Sequence, residues 1–344
     1  MRKNSLFALT LLLMLCASTA VFAAKPKPKA KPAPKPAKVK IQSVMLAGDN
    51  GVFGTVYSIR KGYPIYFRLK SAEYTTDQMV IGDRLYAPKA GEKLLVLHFT
   101  VQNPQKSEQQ VRWDSLRFTA VDSMNVNNDV QSDWGDEING GSVNMLLKPA
   151  QKIDIFASII VPAKGIIPKL MVMSDCDDDG PILRYDLRNP KNAVAPLKKY
   201  VSDPSDASGC TAMETVPGAL GTAYPCNNFD ITVQKSGYLE EGINGEELEE
   251  GIHYFTVTVL VKNKSPEKTY LRWDSIIPVL LSTDGEELNY KDMLLASASR
   301  GISRDLKPGE EVTVRLCFEL SKDATPQTLS IKEEESRTYE FKMQ

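Results

Sequence analysis

Histidine is almost absent from this sequence: 344 residues hold only two, His98 and His253. No HExxH or CxxC spacing occurs, and no Ser-His-Asp or Cys-His context. No glycine pattern lies between a strand and a helix to cradle phosphate. Zinc would need several nitrogen or sulfur ligands converging, and the supply is thin. His98 falls inside an alternating strand pattern and reads as a packed or solvated side chain. Catalysis is therefore not expected. Long apolar runs are also missing. After the N-terminal segment nothing approaches the ~18 consecutive apolar residues of a transmembrane helix, so the mature chain is expected to have no such span. Sustained 3.6-residue periodicity is absent too, which argues against helical architecture.

Acid and base are nearly balanced, at a net charge of −1, but unevenly spread. Residues 1–40 carry nine Lys or Arg and no acid, which leaves 33 bases against 43 acids in the remainder. An acidic body argues against nucleic acid as partner, because phosphate binding needs a basic face.

The basic part has its own logic. Arg2 and Lys3 precede the apolar run Leu6 to Leu15, and Val21-Phe22-Ala23 supplies a cleavage context, so residues 1–23 read as a signal peptide. Cys16 follows Leu15, which is not the small residue that a lipidation motif wants before its cysteine. Residues 25–40 read KPKPKAKPAPKPAKVK. Alternate prolines hold this linker (24–40) near polyproline II and the lysines repel one another. The run makes a semi-rigid spacer of about 50 Å. It is either a solvated stalk or an arm for anionic polymer or headgroups. Export places the protein outside the cytoplasm: in the periplasm, on the cell surface or released. Four cysteines remain after the signal, and in an oxidising compartment they could form two disulfides. Cys210 and Cys226 lie close in a turn-rich segment and are the favoured pair; free thiols are the alternative.

An internal repeat dominates the rest. LLVLHFTVQN ending at Asn103 matches YFTVTVLVKN ending at Asn263. VRWDSL around Trp113 matches LRWDSI around Trp273, and LLKPAQKIDIFASIIVP matches DLKPGEEVTVRLCFELS. The offsets agree within one residue. A weaker match pairs Phe67 to Lys70 with Ile231 to Gln234. The blocks alternate with period two, as in Val312, Val314, Leu316 and Phe318, and turn formers separate them. The expected fold is all-β: two tandem immunoglobulin-like β-sandwiches, at 41–189 and 223–344, joined by an interdomain linker at 190–222. Segments 124–145 and 286–304 read as longer connections at equivalent places.

A strand ending in Asn263, then Asp284-Gly285, then Leu306-Lys307-Pro308-Gly309-Glu310 before a strand closing in Phe318-Glu319-Leu320 resembles DUF4352-type domains. These are immunoglobulin-like sandwiches of secreted bacterial proteins, similar to the mycobacterial antigen MPT63. The first copy departs from the pattern, with Ala150 where the glycine stands and no Asp-Gly in its central turn. The resemblance implies an extracytoplasmic fold and transfers no catalytic residues.

One motif has metal logic. In DCDDDG, Asp175, Asp177 and Asp179 stand at positions 1, 3 and 5 of a calcium loop, Gly180 at 6 and Asp186 at 12. Strand-like flanks and the shorter Asp186 weigh against it, and a solvated acidic tip is the alternative. The second copy lacks the extra residues. Trp113 and Trp273 are expected to fill the sandwich cores, with Asp114-Ser115 and Asp274-Ser275 as polar edges or turn caps; a ligand site repeated in both domains is the other reading. The functional expectation is a non-catalytic binding or interaction protein whose partner is an envelope protein or cell-wall polymer. A structural spacer or assembly protein of the cell envelope is the alternative, ahead of an enzyme or inhibitor.

Overall fold

Period-two alternation sets which face a strand buries, as in Ile65–Thr75, while the central strand Glu92–Gln102 is buried on both faces along much of its length. A computed structural model describes residues 50–59, 64–130, 133–174, 181–243, 245–298 and 300–343. The signal segment, the Lys/Pro-rich linker, Cys176 and the Asp175–Gly180 run lie outside these residues. The regular structure of the described chain is strand apart from one short 3-10 turn, Pro190–Asn192, capped by Asn189.

The first sandwich has a five-stranded sheet. Its order is Tyr57–Ile59, Ile65–Thr75, Glu92–Gln102, Lys152–Pro162 and Gly135–Asp136. A four-stranded sheet, Leu183–Asp186, Lys169–Ser174, Leu116–Val121 and Asn127–Asp129, supplies the other layer. Phe67 and Phe99 from one layer meet Phe118 from the other at ring-centroid distances of 5.8 and 5.0 Å. Fully burying such a side chain contributes about 1.5–3 kcal/mol, so this cluster anchors the fold.

The second sandwich repeats the order. Ala223–Pro225, Phe229–Leu239, Ile252–Asn263 and Glu311–Ser321 form one layer, and Ile277–Ser282, Pro326–Lys332 and Thr338–Lys342 the other. Details repeat as well. The register of Ile65–Thr75 slips between Leu69 and Ser71, and that of Phe229–Leu239 between Val233 and Lys235. Each slip is a β-bulge at the same place in its copy. Asn103 donates through Nδ2 to the carbonyls of Ser107 and Leu147, both at 2.8 Å. Asn263 does the same to Glu267 and Leu306, at 2.8 and 2.9 Å.

The repeat also reaches further upstream than the strand blocks suggest. GVFGTVY at 51–57 matches GALGTAY at 218–224. Val52 N–H donates to Tyr57 Oη at 2.9 Å, and Ala219 N–H to Tyr224 Oη at 2.8 Å. A β-carbon on Gly51 would lie 2.5 Å from the Tyr185 ring, and one on Gly218 would lie 2.5 Å from the Phe341 ring. Both glycines let the backbone pass against an aromatic face.

Two segments read as connections contain strands. In the second copy Glu287–Leu295 pairs with both Ile277–Ser282 and Glu311–Ser321, crossing from one layer to the other. In the first copy the equivalent segment supplies Asn127–Asp129 to one layer and Gly135–Asp136 to the other. Segment 190–222 is packed rather than solvated. Asn192 Nδ2 donates to the Gly51 carbonyl at 3.0 Å, and its Oδ1 accepts from Phe53 N–H at 2.9 Å. Thr215–Pro217 adds a parallel strand beside Thr338–Lys342. One continuous apolar cluster runs through both sandwiches and this segment.

Two buried cations fasten the junction. Lys93 is fully buried and donates through Nζ to the carbonyls of Ala163 (3.1 Å), Gly165 and Cys210, 4.3 Å above the Tyr74 ring. Arg337 donates to the carbonyls of Met213, at 3.0 Å, and Glu92.

Two further expectations need correction. Cys210 and Cys226 are buried free thiols, not a disulfide. Cys210 Sγ lies against the Ser208 carbonyl, while Cys226 N–H bonds the Phe229 carbonyl in the turn that leads into Phe229–Leu239. Trp113 and Trp273 are 55% and 57% exposed and are not core residues. The buried indole is Trp134, at 5.2 Å from Phe99 and 5.9 Å from Phe118.

Candidate functional site

The displaced tryptophans stand on matching turns. The strands Gln109–Arg112 and Thr269–Arg272 are only four residues long and pair with Asn144–Leu147 and Ser303–Leu306. Each ends because the next residues close on themselves. Ser115 N–H donates to the Arg112 carbonyl at 2.9 Å, and Arg112 N–H donates back to Ser115 Oγ at 3.0 Å. Ser275 and Arg272 repeat this at 3.0 and 3.1 Å. A serine side chain here substitutes for the next ladder partner, which is why serine is suited to the position.

Arginine and aspartate brace the turn from outside. Arg112 Nε lies 2.5 Å from Asp114 Oδ1, and Arg272 Nε lies 2.5 Å from Asp274 Oδ1. The tryptophan between them takes no part in the bracing. It is left projecting with more than half its surface in solvent, its amphipathic ring free to meet a partner.

A cleft adjoins each turn. The first, of about 180 Å³, is lined by Trp113, Asp114, Arg117 and Asp129 over a floor that includes Phe118 and Val130. Asp129 accepts from Thr119 Oγ1 at 2.5 Å and pairs with Arg117 at 3.4 Å. The second, of about 360 Å³, is lined by Tyr270, Arg272, Asp274, Glu333 and Glu334. Its Tyr270 is half exposed and bonds Ser303 Oγ. Glu333 is buried; burial raises its carboxyl above the usual range, against bonds from Asn228 and Phe229 that favour the anion.

The remaining sequence candidates are dispersed. His98 Nδ1 lies 2.8 Å from Glu137 on the outer face of its sheet, within an open cluster with Glu73 and Lys70. His253 packs edge-on against Tyr238 in the other sandwich, at 4.6 Å between centroids. Asp186 ends the strand Leu183–Asp186, and Arg188 engages both its oxygens, at 2.9 and 3.1 Å. That pairing holds its carboxyl below the usual range. Asp175, Asp177 and Asp179 fall outside the described residues. Among the described residues no three His, Cys, Asp or Glu side chains are grouped to hold a metal ion. No described helix is long and apolar enough to cross a membrane.

Comparison with known proteins bears on the second copy. Residues 219–340 match the family model described as a domain of unknown function, DUF4352. The match begins within GALGTAY and spans the second sandwich. Three solved structures are similar over about a third of the chain. An uncharacterized β-sandwich protein from Clostridium difficile shares 14% identity over 37% of this chain and 92% of its own, with a TM-score of 0.29. A conserved hypothetical protein from Bacillus anthracis shares 17% over 36% and 93%, with a TM-score of 0.27. A candidate lipoprotein from Bacillus subtilis shares 12% over 37% and 39%, with a TM-score of 0.27. No curated protein matches the chain.

Proposed function

We propose that this chain is an exported, non-catalytic binding protein of the cell envelope, which meets its partner through the two Arg-Trp-Asp-Ser turns. The observation that carries the reading is the repetition of an exposed tryptophan on an identically braced turn. Turns on a rigid sandwich are where contacts with partners are usually placed. Export rests on the basic start at Arg2 and Lys3 and the short apolar run after it. The Lys/Pro-rich linker would then hold the paired sandwiches away from the surface it departs from.

We also infer that the first sandwich is a diverged copy of the DUF4352-type domain matched by residues 219–340. The shared strand order, the paired bulges and the two equivalent asparagine networks support this.

The test is co-sedimentation of the purified protein with washed envelopes, alongside a Trp113→Ala/Trp273→Ala double variant. The expected result is retention of the native protein and at least tenfold less of the variant, with equal melting temperatures. Equal retention of both would refute the role of the turns. No retention of either would favour a spacer.

A further inference from the structure

The charged groups beside the two turns narrow what could cover the indoles. The first cleft has two carboxylates, Asp114 and Asp129, beside one lining guanidinium, Arg117. The second has Asp274, Glu333 and Glu334 beside Arg272. Arg112 and Arg117 match the two acids of the first cleft, and acid outnumbers base in the second, so neither offers the net positive charge that a polyanion needs. A protein partner would normally anchor its apolar side chains in a desolvated pocket. Both clefts are small; in the first Trp113 stands beside these charges over Leu116, Phe118 and Val130, while the second is lined by the aromatic rings of Phe229 and Tyr270, with Trp273 on the turn that borders it. A planar aromatic face beside carboxylate and guanidinium groups matches one class of ligand well: a sugar ring. Its C–H face can lie on the indole while its hydroxyls donate to carboxylates and accept from arginine.

The geometry points to a second property. Each sandwich has its own turn and its own cleft, so the chain offers two contact points rather than one. Two weak subsites linked in one molecule gain from effective concentration only when the ligand is long enough to engage both or is densely repeated. A polymer satisfies this and a free monosaccharide does not. We infer that the Trp113 and Trp273 turns are paired subsites for an uncharged polysaccharide chain, a ligand class that rests on the binding role proposed above.

The three tryptophans make this testable in one measurement. Trp113 and Trp273 are exposed, while Trp134 is fully buried and serves as an internal control. The ¹⁵N-labelled protein is titrated with two neutral probes, chitohexaose and cellohexaose, and one anionic probe, hexagalacturonate. The indole N–H signals are followed. Saturable shifts of the Trp113 or Trp273 signal with a neutral probe are expected, with the Trp134 signal unmoved. Trp113→Ala should leave the Trp273 signal shifting, and Trp273→Ala the Trp113 signal, each with weaker apparent affinity than in the native protein. The double variant should lose at least tenfold in retention on an insoluble neutral glycan. No shift with either neutral probe up to about 10 mM, a concentration at which even millimolar affinity would show, overturns the ligand class. So does equal or stronger binding of hexagalacturonate. The two levels of inference remain separable. Tryptophan-dependent envelope retention without sugar binding removes the saccharide and leaves the binding role, pointing to a protein partner. Loss of both removes the two together.

Discussion

Ala150 holds a backbone conformation that alanine disfavours, and replacing it with glycine is expected to stabilise the protein. The turns Lys148-Pro149-Ala150-Gln151 and Lys307-Pro308-Gly309-Glu310 are equivalent. Gln151 N–H donates to the Lys148 carbonyl at 3.0 Å, and Glu310 N–H to Lys307 at 2.9 Å. Ala150 and Gly309 donate to Asn103 and Asn263 carbonyls, both at 2.9 Å. Proline second and a positive φ third define a type II turn, which favours glycine third. Gly309 has φ +74°, and Ala150 is forced to +64°. A left-handed conformation costs an L-residue about 1–2 kcal/mol. Glycine instead loses about 0.4–1 kcal/mol through the entropy of the unfolded chain. Ala150 is exposed, so removing its methyl sacrifices no packing. Ala150→Gly should therefore gain about 0.5–1 kcal/mol. Gly309→Ala should lose a similar amount, since a β-carbon there meets nothing within 4 Å and only the backbone objects. In urea, with a slope of about 2 kcal/mol/M, the midpoints would move by roughly 0.3–0.5 M in opposite directions. Unfolding is followed by the emission of buried Trp134 together with far-ultraviolet circular dichroism. An unchanged or lowered midpoint for Ala150→Gly, or shifts of one sign in both variants, would refute the reasoning.

Other perturbations separate the parts of the scaffold. Asn263→Ala strands the buried Leu306 carbonyl, the Glu267 carbonyl and the Ser265 N–H, which bonds Asn263 Oδ1 at 2.9 Å; a loss of about 2–4 kcal/mol in urea unfolding is expected. Gly51→Ala drives a methyl into the Tyr185 ring and should cost about 1–3 kcal/mol, whereas Gly54→Ala meets open space and pays only for its positive φ. Burial lowers the Lys93 amine from 10.5 to about 8, with Arg337 acting in the same direction. Between those values the unfolded chain binds more protons than the folded one, so Lys93 makes stability rise with pH from about 8 towards 10.5. The difference in urea midpoint between the native protein and Lys93→Met, which cancels the cysteine titrations, should grow between pH 7 and 9.5; a flat difference would contradict the burial of the amine.

The fold was legible because alternation and turn chemistry act locally. Val312 to Phe318 read as a strand, and Val314, Leu316 and Phe318 are buried as that reading requires. Cys317 departs from the pattern because the outer face is also covered: it packs with Ile243, Tyr254 and Leu294 in a second small cluster. The crossing strand Glu287–Leu295 was hidden for a related reason. It changes layers midway, with its register shifting between Tyr290 and Asp292, so no single face stays buried along its length. Trp134 was hidden too, within a segment read as a connection. Registers align it with Met293, since Asp136 faces Ile155 as Leu295 faces Val314, and each core residue lies two positions earlier. GxxGTxY was visible as a repeated string, but its spacing differs from that of the main blocks and it carries little strand character. The acidic run at 175–180 remains a sequence feature, between strands ending at Ser174 and beginning at Leu183.

Comparing the copies with each other explains why the exposed tryptophans carry more weight than the buried residues. The central strands Glu92–Gln102 and Ile252–Lys262 occupy the same place, yet only Val101 and Val261 are identical. Leu95, Leu97 and Phe99 have become Phe255, Val257 and Val259, all of them buried. Cores tolerate such exchanges when volume is made up elsewhere, and so they drift. Identities that survive at turns have visible structural causes: Asn103 and Asn263 bond two carbonyls, Gly51 and Gly218 clear a ring, and Ser115 and Ser275 close a turn. Trp113 and Trp273 have no such cause. Any residue could stand second in that turn, and a smaller polar one would cost less in water. Stability would have let these indoles drift like the core around them. Their presence on both turns, each braced by an arginine and an aspartate, is the feature that the proposed contact surface would explain.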